Sequence, residues 1–559
     1  MKAIYKPLIA AALAAPLLTG CIEESVPTNT VLQTQLEGNE NAIAAFASAM
    51  CSHLNEVATV SSSQHYDWGW PALMHARDVM TEDEVVDYAG GYDWFATWAT
   101  NGTALGARYM VCQFPWNFYY EQILAINNTV KVVDPNTEQA SDRFYLGSAL
   151  AFRAGTYLDM ARMWEVLPTA VNTGKSSDGN NIIGLTLPIV TDQTSEDDMR
   201  NNPRAPHATI FQFIVNDLET AIPLMEGYAR PTKTYPDVAV AKGLLARAYL
   251  WDASFQAEVN QDDAAARASY TKAAQYAREA ITTSGATPLT QAQWLDKTGG
   301  FNTLSVSSWM WGGQYDSERV SNLLNWVSFC CNEQEIGYAS DGPDAAGAHT
   351  KINAAMYKRM SDEDFRKLSY VAPADGALKG REAYLDQTWG ETYLADQPYV
   401  SLKFRPGQGN MTDVKTANVV AYPMMRVEEM YFIEAEAKAH LNASEGKSLV
   451  ESFMKTYRYP SYSATASSDE ALIKEIVFQK RVELWGEGQA YFDFKRLNLD
   501  VTRAYAGTNF EYGRNTFNTV GRPAWMNFVI VNQEIDNNAA LKGYNTPDPA
   551  PFYTVIQED

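Results

Sequence analysis

The chain has 559 residues, of which 46% are hydrophobic and 20% charged, the balance of a folded globular protein with room for one large core or two to three ordinary ones. Its formal net charge of −23 at pH 7 excludes nucleic acid as a partner, because nothing in so acidic a chain can replace the counterions of a phosphate backbone. The same charge opposes docking to anionic lipid and suits a neutral or cationic ligand.

The first twenty residues have the form of a targeting segment. Lys2 and Lys6 precede an apolar run from Leu8 to Leu18, and Leu18-Thr19-Gly20-Cys21 closes it in the pattern of a bacterial lipobox. That run is too short to span about 30 Å of hydrocarbon. Residues 1–20 are therefore expected to be a signal peptide, Cys21 the lipidated residue, 21–37 a polar tether and 38–559 a single domain. Ile22, Glu23 and Glu24 follow the cysteine directly. The other cysteines, Cys51, Cys112, Cys330 and Cys331, lack the paired short spacings of a zinc site and read as structural thiols, with Cys330 and Cys331 as neighbouring core and surface positions.

Helical periodicity dominates the middle of the chain. Residues 142–164 place Leu146, Leu150, Tyr157, Ala161 and Trp164 on one stripe, with Pro168 beyond. Ile210, Phe211, Ile214, Leu218 and Ile222 mark a second helix over 206–226. A pair follows: Ala241, Leu244, Leu245, Ala248 and Tyr249, then Tyr270, Ala273, Ala277, Ala280 and Ile281. Small alanines set against rings resemble a tetratricopeptide hairpin. Between 300 and 420, Gly299-Gly300, Gly312-Gly313, Pro343, Gly407 and Gly409 punctuate short β-prone runs such as Ser305–Tyr315, where Trp309 and Trp311 read as core. Helix returns at 424–441 and again after Ser467-Ser468-Asp469-Glu470, a capping signature. The expected fold is mainly α, with helix hairpins over about 115–290 and 420–500 packed against loop-rich parts with short strands at about 60–110 and 295–420.

The C-terminal half carries ordered motifs. Arg426 to Ala437 resembles the "R-x-x-E-x-Y-L-x-x-A-E-A" helix of the SusD/RagB family of outer-membrane nutrient-binding lipoproteins. Gln479 to Arg496 resembles its "R-x-x-E-L-x-x-E-G-x-R-x-x-D-L-x-R" segment, with Gln489–Ala490 where the family usually has Arg. Tyr120-Glu121-Gln122-Ile123 through Asn127 is similar to a "Y-x-x-I-x-x-x-N" helix, and Arg143 through Trp164 to an "R-F-L-R-A-x-x-Y" helix. Ser401-Leu402-Lys403-Phe404 resembles a "K-Y" strand. Phe528 to Asn538 resembles the closing "P-I-P-x-x-E-I-x-x-N" run without its prolines. Charged residues on these apolar helices, Arg426, Glu429, Arg481, Glu483, Glu487, Asp493 and Arg496, are expected to pair with one another rather than to catalyse.

The resemblance implies a non-catalytic binder of oligosaccharide or polysaccharide. It would be lipid-anchored on the outer face of the outer membrane and deliver ligand to a SusC-like TonB-dependent transporter. Alternatives are a peptide- or other nutrient-binding member of the same family, or a helical-repeat interaction scaffold. A surface glycoside hydrolase comes last: it needs two carboxylates about 5–10 Å apart, and no G-x-S-x-G, H-E-x-x-H or G-x-x-x-x-G-K-[ST] motif is present. No cofactor or metal is expected; the acidic run Asp192 to Asp198 lacks the glycine and glutamate of an EF-hand loop and reads as a solvated loop. Sugar C–H faces stack on exposed rings, so Trp68, Trp70, Trp94, Trp98, Trp326 and Tyr338, all in turn-rich stretches, are the candidate ligand-binding residues.

Overall fold

The computed structural model describes residues 39–57, 67–89, 95–96, 105–318, 320, 323–340, 344–382 and 394–558. Cys21, Trp94 and Trp98 lie outside them. The principal helices are α1 (Glu40–Ser52), α2 (Trp70–Val79), α3 (Met110–Val132), α4 (Ala140–Trp164), α5 (His207–Met225), α6 (Val238–Phe255), α7 (Asp263–Ser284), α8 (Val427–Leu441), α9 (Ala443–Tyr457) and α10 (Asp469–Glu483). The architecture is mainly α.

Capping side chains fix where the helices begin. Asn39, Asp237, Asp262 and Ser468 accept backbone N–H bonds at the starts of α1, α6, α7 and α10. Gly285, at φ +64°, ends α7 in the left-handed conformation that glycine adopts without a Cβ penalty. Consecutive helices then stack in order: α1 on α3, α3 on α4, α4 on α5, α5 on α6, α6 on α7, α7 on α8, and α8 on both α9 and α10. Gly147 on α4 would bring a Cβ to 2.9 Å from the Ala221 carbonyl oxygen of α5, so a glycine is what lets these two helices meet.

The apolar stripe expected on 142–164 understates α4. Residues Leu146 to Trp164 are buried on every face, because α3, α5 and α6 surround the helix and the C-terminal run closes the remaining side, Phe528 N–H donating to Met163 O. Such all-round burial is the mark of a central helix.

The loop-rich stretch is an insertion between α7 and α8, which pack on each other across it. Its ends are joined by antiparallel pairing of β2 (Trp309–Gln314) with β6 (Ala421–Arg426). Further pairing of β1 (Glu84–Val86) with β5 (Thr350–Ile352) brings the two loop-rich parts together, and β3 (Ile336–Gly337) runs parallel to β4 (Asp344–Ala345). Trp309 and Trp311 are buried, as expected of core. The Ser401–Phe404 stretch forms an isolated bridge from Ser401 to Tyr370 rather than a strand. Cys330 and Cys331 are both buried, so the expected surface position is corrected: the short helix Trp326–Cys330 sits wholly inside the core. No described helix is long and apolar enough to cross a membrane.

Candidate functional site

Four of the six ring candidates are described, and all four are packed inside. Trp68 is 0% exposed and stacks on Phe329, centroids 4.7 Å apart at 3°. Tyr338 covers the same Phe329 at 4.7 Å. Trp70 meets Tyr119 edge-on at 5.5 Å, and Trp326 meets Phe404 at 4.9 Å. A ring without an open face cannot receive a pyranose in this conformation, so these four are corrected from platform to core. Gly69 N-caps α2 at φ +84° and Pro71 occupies its first turn, so Trp70 begins a helix. Asn325 caps the helix that Trp326 begins.

The charged motif residues converge as expected. Glu483, fully buried, accepts from Arg426 (3.1 Å), Arg458 (2.6 Å) and Arg366 (2.9 Å). Burial opposes its charge, but Arg458 and Arg426 overcome that and hold its carboxyl well below the usual carboxylate range. Glu487 bridges Arg426 (2.9 Å) and Lys403 (2.7 Å). Burial drives the Lys403 ammonium down to about 8, against the pull of Glu487. Arg247 pairs with Glu429, Arg496 with Glu436 and Asp493, and Arg481 with Asp83. These carboxylates have no free approach, and their chemistry is structural.

A second buried charge centre lies where α5 begins. The His207 ring contacts Glu165 at 2.6 Å and Asp252 at 3.1 Å and stacks on Phe255 at 3.8 Å. Burial disfavours its charge, yet Glu165 and Asp252 prevail and raise the imidazolium to about 9.

Among the described residues, a groove lies on the helical side. The groove is enclosed by α3, the 188–202 connection between α4 and α5, and the short helix Asn532–Asn537, with a volume of about 790 Å³. Sites for small ligands fall at about 300–1,000 Å³. Tyr120, Ile123, Val190 and Val531 line its depth, while Asn117, Glu121 and Asn128 of α3 face Gln533, Glu534 and Asn537 across it. Leu124 (60% exposed) and Met199 (39%) are also in the lining.

Hydrogen bonds from three elements shape the wall. Tyr120 Oη donates to Pro188 O (2.7 Å), and Tyr157 Oη both donates to Val190 O (2.8 Å) and accepts from Val190 N–H (2.7 Å). The Asn538 side-chain amide holds both backbone groups of Asn202, Asn202 N–H donating to Asn538 Oδ1 (3.0 Å) and Asn538 Nδ2 donating to Asn202 O (2.8 Å). The end of the acidic run is a capped turn, Ser195 and Asp198 forming a capping box on Glu196–Met199. Sequence reasoning did not find this groove, although two motifs it singled out, Tyr120/Ile123/Asn127 and Glu534/Asn538, converge on it.

The stacked helices with a loop-rich insertion define a SusD-like fold. A SusD-like carbohydrate-binding protein from Bacteroides vulgatus aligns at TM-score 0.67 and 20% identity, over 92% of this chain and 100% of that one. A SusD superfamily protein from Bacteroides thetaiotaomicron aligns at 0.64 and 16%, over 91% and 100%. A laminarin-binding SusD-like protein aligns at 0.61 and 16%, over 89% and 98%. No curated protein sequence is significantly similar. Residues 339–547 match the family model described as the SusD family, in agreement with the fold.

Proposed function

We propose that this protein captures glycan at the cell surface without chemically altering it, tethered to the outer membrane through lipid on Cys21, and passes the ligand to a SusC-like TonB-dependent transporter. The observation that carries the reading is the SusD-family match over residues 339–547 on a SusD-like fold. The carbohydrate binding stated for similar structures supports the ligand class. The pairing of Glu483, Glu487 and Asp493 with guanidinium and ammonium groups supports the non-catalytic part, since these acids are not free to act on a glycosidic bond.

The test is native affinity electrophoresis of the mature chain through gels containing laminarin, soluble starch, xylan or polygalacturonate, with reducing-sugar release followed in parallel. Retardation by at least one polysaccharide without release is expected. Migration unchanged in every gel, or steady release of reducing ends, overturns the reading. Copurification of a TonB-dependent transporter from solubilised outer membranes checks the partner.

A further inference from the structure

We infer that the groove between α3, the 188–202 connection and the Asn532–Asn537 helix is a binding site for a neutral, hydroxyl-rich glycan chain, kept in shape by Arg153. The inference rests on the glycan-capture reading and gives it a place on the helical scaffold.

The groove is built before any ligand arrives. Arg153 of α4 is 6% exposed. It grips Asp217 of α5 through two bonds, Nε to Oδ2 at 2.7 Å and a terminal nitrogen to Oδ1 at 2.9 Å. Its other terminal nitrogen donates to Asn127 Oδ1 of α3 and to Asp192 Oδ1 of the connection, each at 3.1 Å. Asn127 in turn donates to Val190 O at 3.2 Å. One guanidinium thus ties floor, wall and scaffold together, and a planar fork does this where a lysine, a point charge, cannot. Ordering the wall during folding removes that entropy cost from binding.

The lining has the chemistry of hydroxyl recognition. Asn117, Glu121 and Asn128 share one face of α3, and their side chains have no hydrogen-bond or ion-pair partner among the described residues. Amides of this kind both donate to and accept from sugar hydroxyls, and the carboxylate accepts from them. Leu124 and Met199 offer apolar surface to C–H groups. The lining carries a small excess of carboxylates: Glu121, Glu196 and Glu534 stand with Lys131 and Arg200, and Asp192 shares Arg153 with Asp217. That excess repels an anionic chain and leaves uncharged hydroxyls as the groups the lining amides can read. From Asn117 to Lys131 the lining of α3 extends about 21 Å at 1.5 Å per residue. An open trough of that length suits a run of sugar units rather than one enclosed monosaccharide.

The experiment compares the mature wild-type chain with Leu124→Arg/Asn128→Ala, both surface changes, and with Arg153→Lys. Affinity electrophoresis and calorimetry use laminarin, soluble starch and xylan as neutral probes, polygalacturonate as the anionic one, and a tryptic casein digest as the peptide one. Tenfold or greater weakening toward the neutral probe is expected from the surface double variant. Arg153→Lys is expected to weaken the same probe and to speed hydrogen exchange at the Val190 and Asp192 amides. If the wild type binds a neutral glycan and the double variant binds it equally well, the groove is not the site and glycan capture stands. If the groove variants lose only casein peptides or only polygalacturonate, the ligand class is overturned. If the wild type binds no glycan at all, the capture reading itself falls.

Discussion

Glu483→Gln tests whether the buried ion pairs hold the insertion to the helices. The substitution keeps the shape and one acceptor oxygen but removes the charge that faces Arg426, Arg458 and Arg366. Arg366 retains Asp364 at 2.6 Å, and Arg426 retains Glu487 at 2.9 Å. Arg458 is left with Glu428 at 3.6 Å, a poor replacement for 2.6 Å. Breaking one partner of a buried pair costs about 3–5 kcal/mol, because a charge stays buried without its counter-charge. With an unfolding entropy of about 2.1 cal/mol/K per residue, a body of this length loses about 1 °C of Tm per kcal/mol, so a fall of about 3–5 °C is expected by calorimetry at pH 7. The pH dependence supplies a second reading. Since the folded-state pKa of Glu483 is depressed, its contribution is present above the unfolded carboxyl value near 4.5 and is lost as pH falls through the folded value. The wild type should therefore approach the variant as pH drops below about 4.5. A variant within 1 °C of wild type at pH 7, with a parallel pH profile, refutes the reasoning.

Three further outcomes are expected. His207→Gln should remove a pH-dependent component of stability: with the His207 pKa raised to about 9, its contribution is complete below about 6.5 and is lost as pH rises through about 9. The full shift corresponds to about 3 kcal/mol, read as the wild-type-minus-variant difference in Tm between pH 6 and pH 9.5, so that Lys495 and other groups cancel. Trp68→Ala should cost about 3–5 kcal/mol in urea unfolding, as for other buried large-to-small changes, with no selective loss of glycan affinity at temperatures where the variant stays folded. Cys21→Ser should move the protein from the membrane fraction to the soluble fraction with glycan affinity unchanged, scored by immunoblot after fractionation.

The helical half was legible because its signals are local. The alanine and aromatic spacing of 241–249 and 270–281 reappears as α6 and α7, and Ser468 caps α10 one residue into the serine pair. Ring exposure was not legible, because the residues that punctuate loops also begin helices. Gly69 and Pro71 frame the start of α2, and Asn325 caps the next tryptophan's helix, so turn chemistry around Trp70 and Trp326 signals capping rather than solvent. The stacking of Trp68 on Phe329 joins residues far apart in the chain, which no periodicity can register. The groove was hidden for a similar reason: Asn127, Asp192 and Asn538 share it only after α4 and the C-terminal run are in place.

The motifs that resemble those of the SusD/RagB family were legible for a reason separate from ligand choice. Lys403 and Arg366 come from the insertion, Arg426 ends β6, Arg458 follows α9, Glu483 ends α10, and Glu487 follows it. They meet where a long loop-rich excursion between α7 and α8 must be pinned to helices that would stack without it. A joint of buried charges is intolerant of single changes, since each removal strands a partner. A groove rimmed by amides such as the half-buried Asn117 and the exposed Asn128 carries no such constraint, because each can change without leaving a buried charge unpaired. The fold is therefore written in the joint and the ligand in the rim, and substitutions at the two should separate cleanly: Glu483 variants lose stability first, Asn128 variants affinity first.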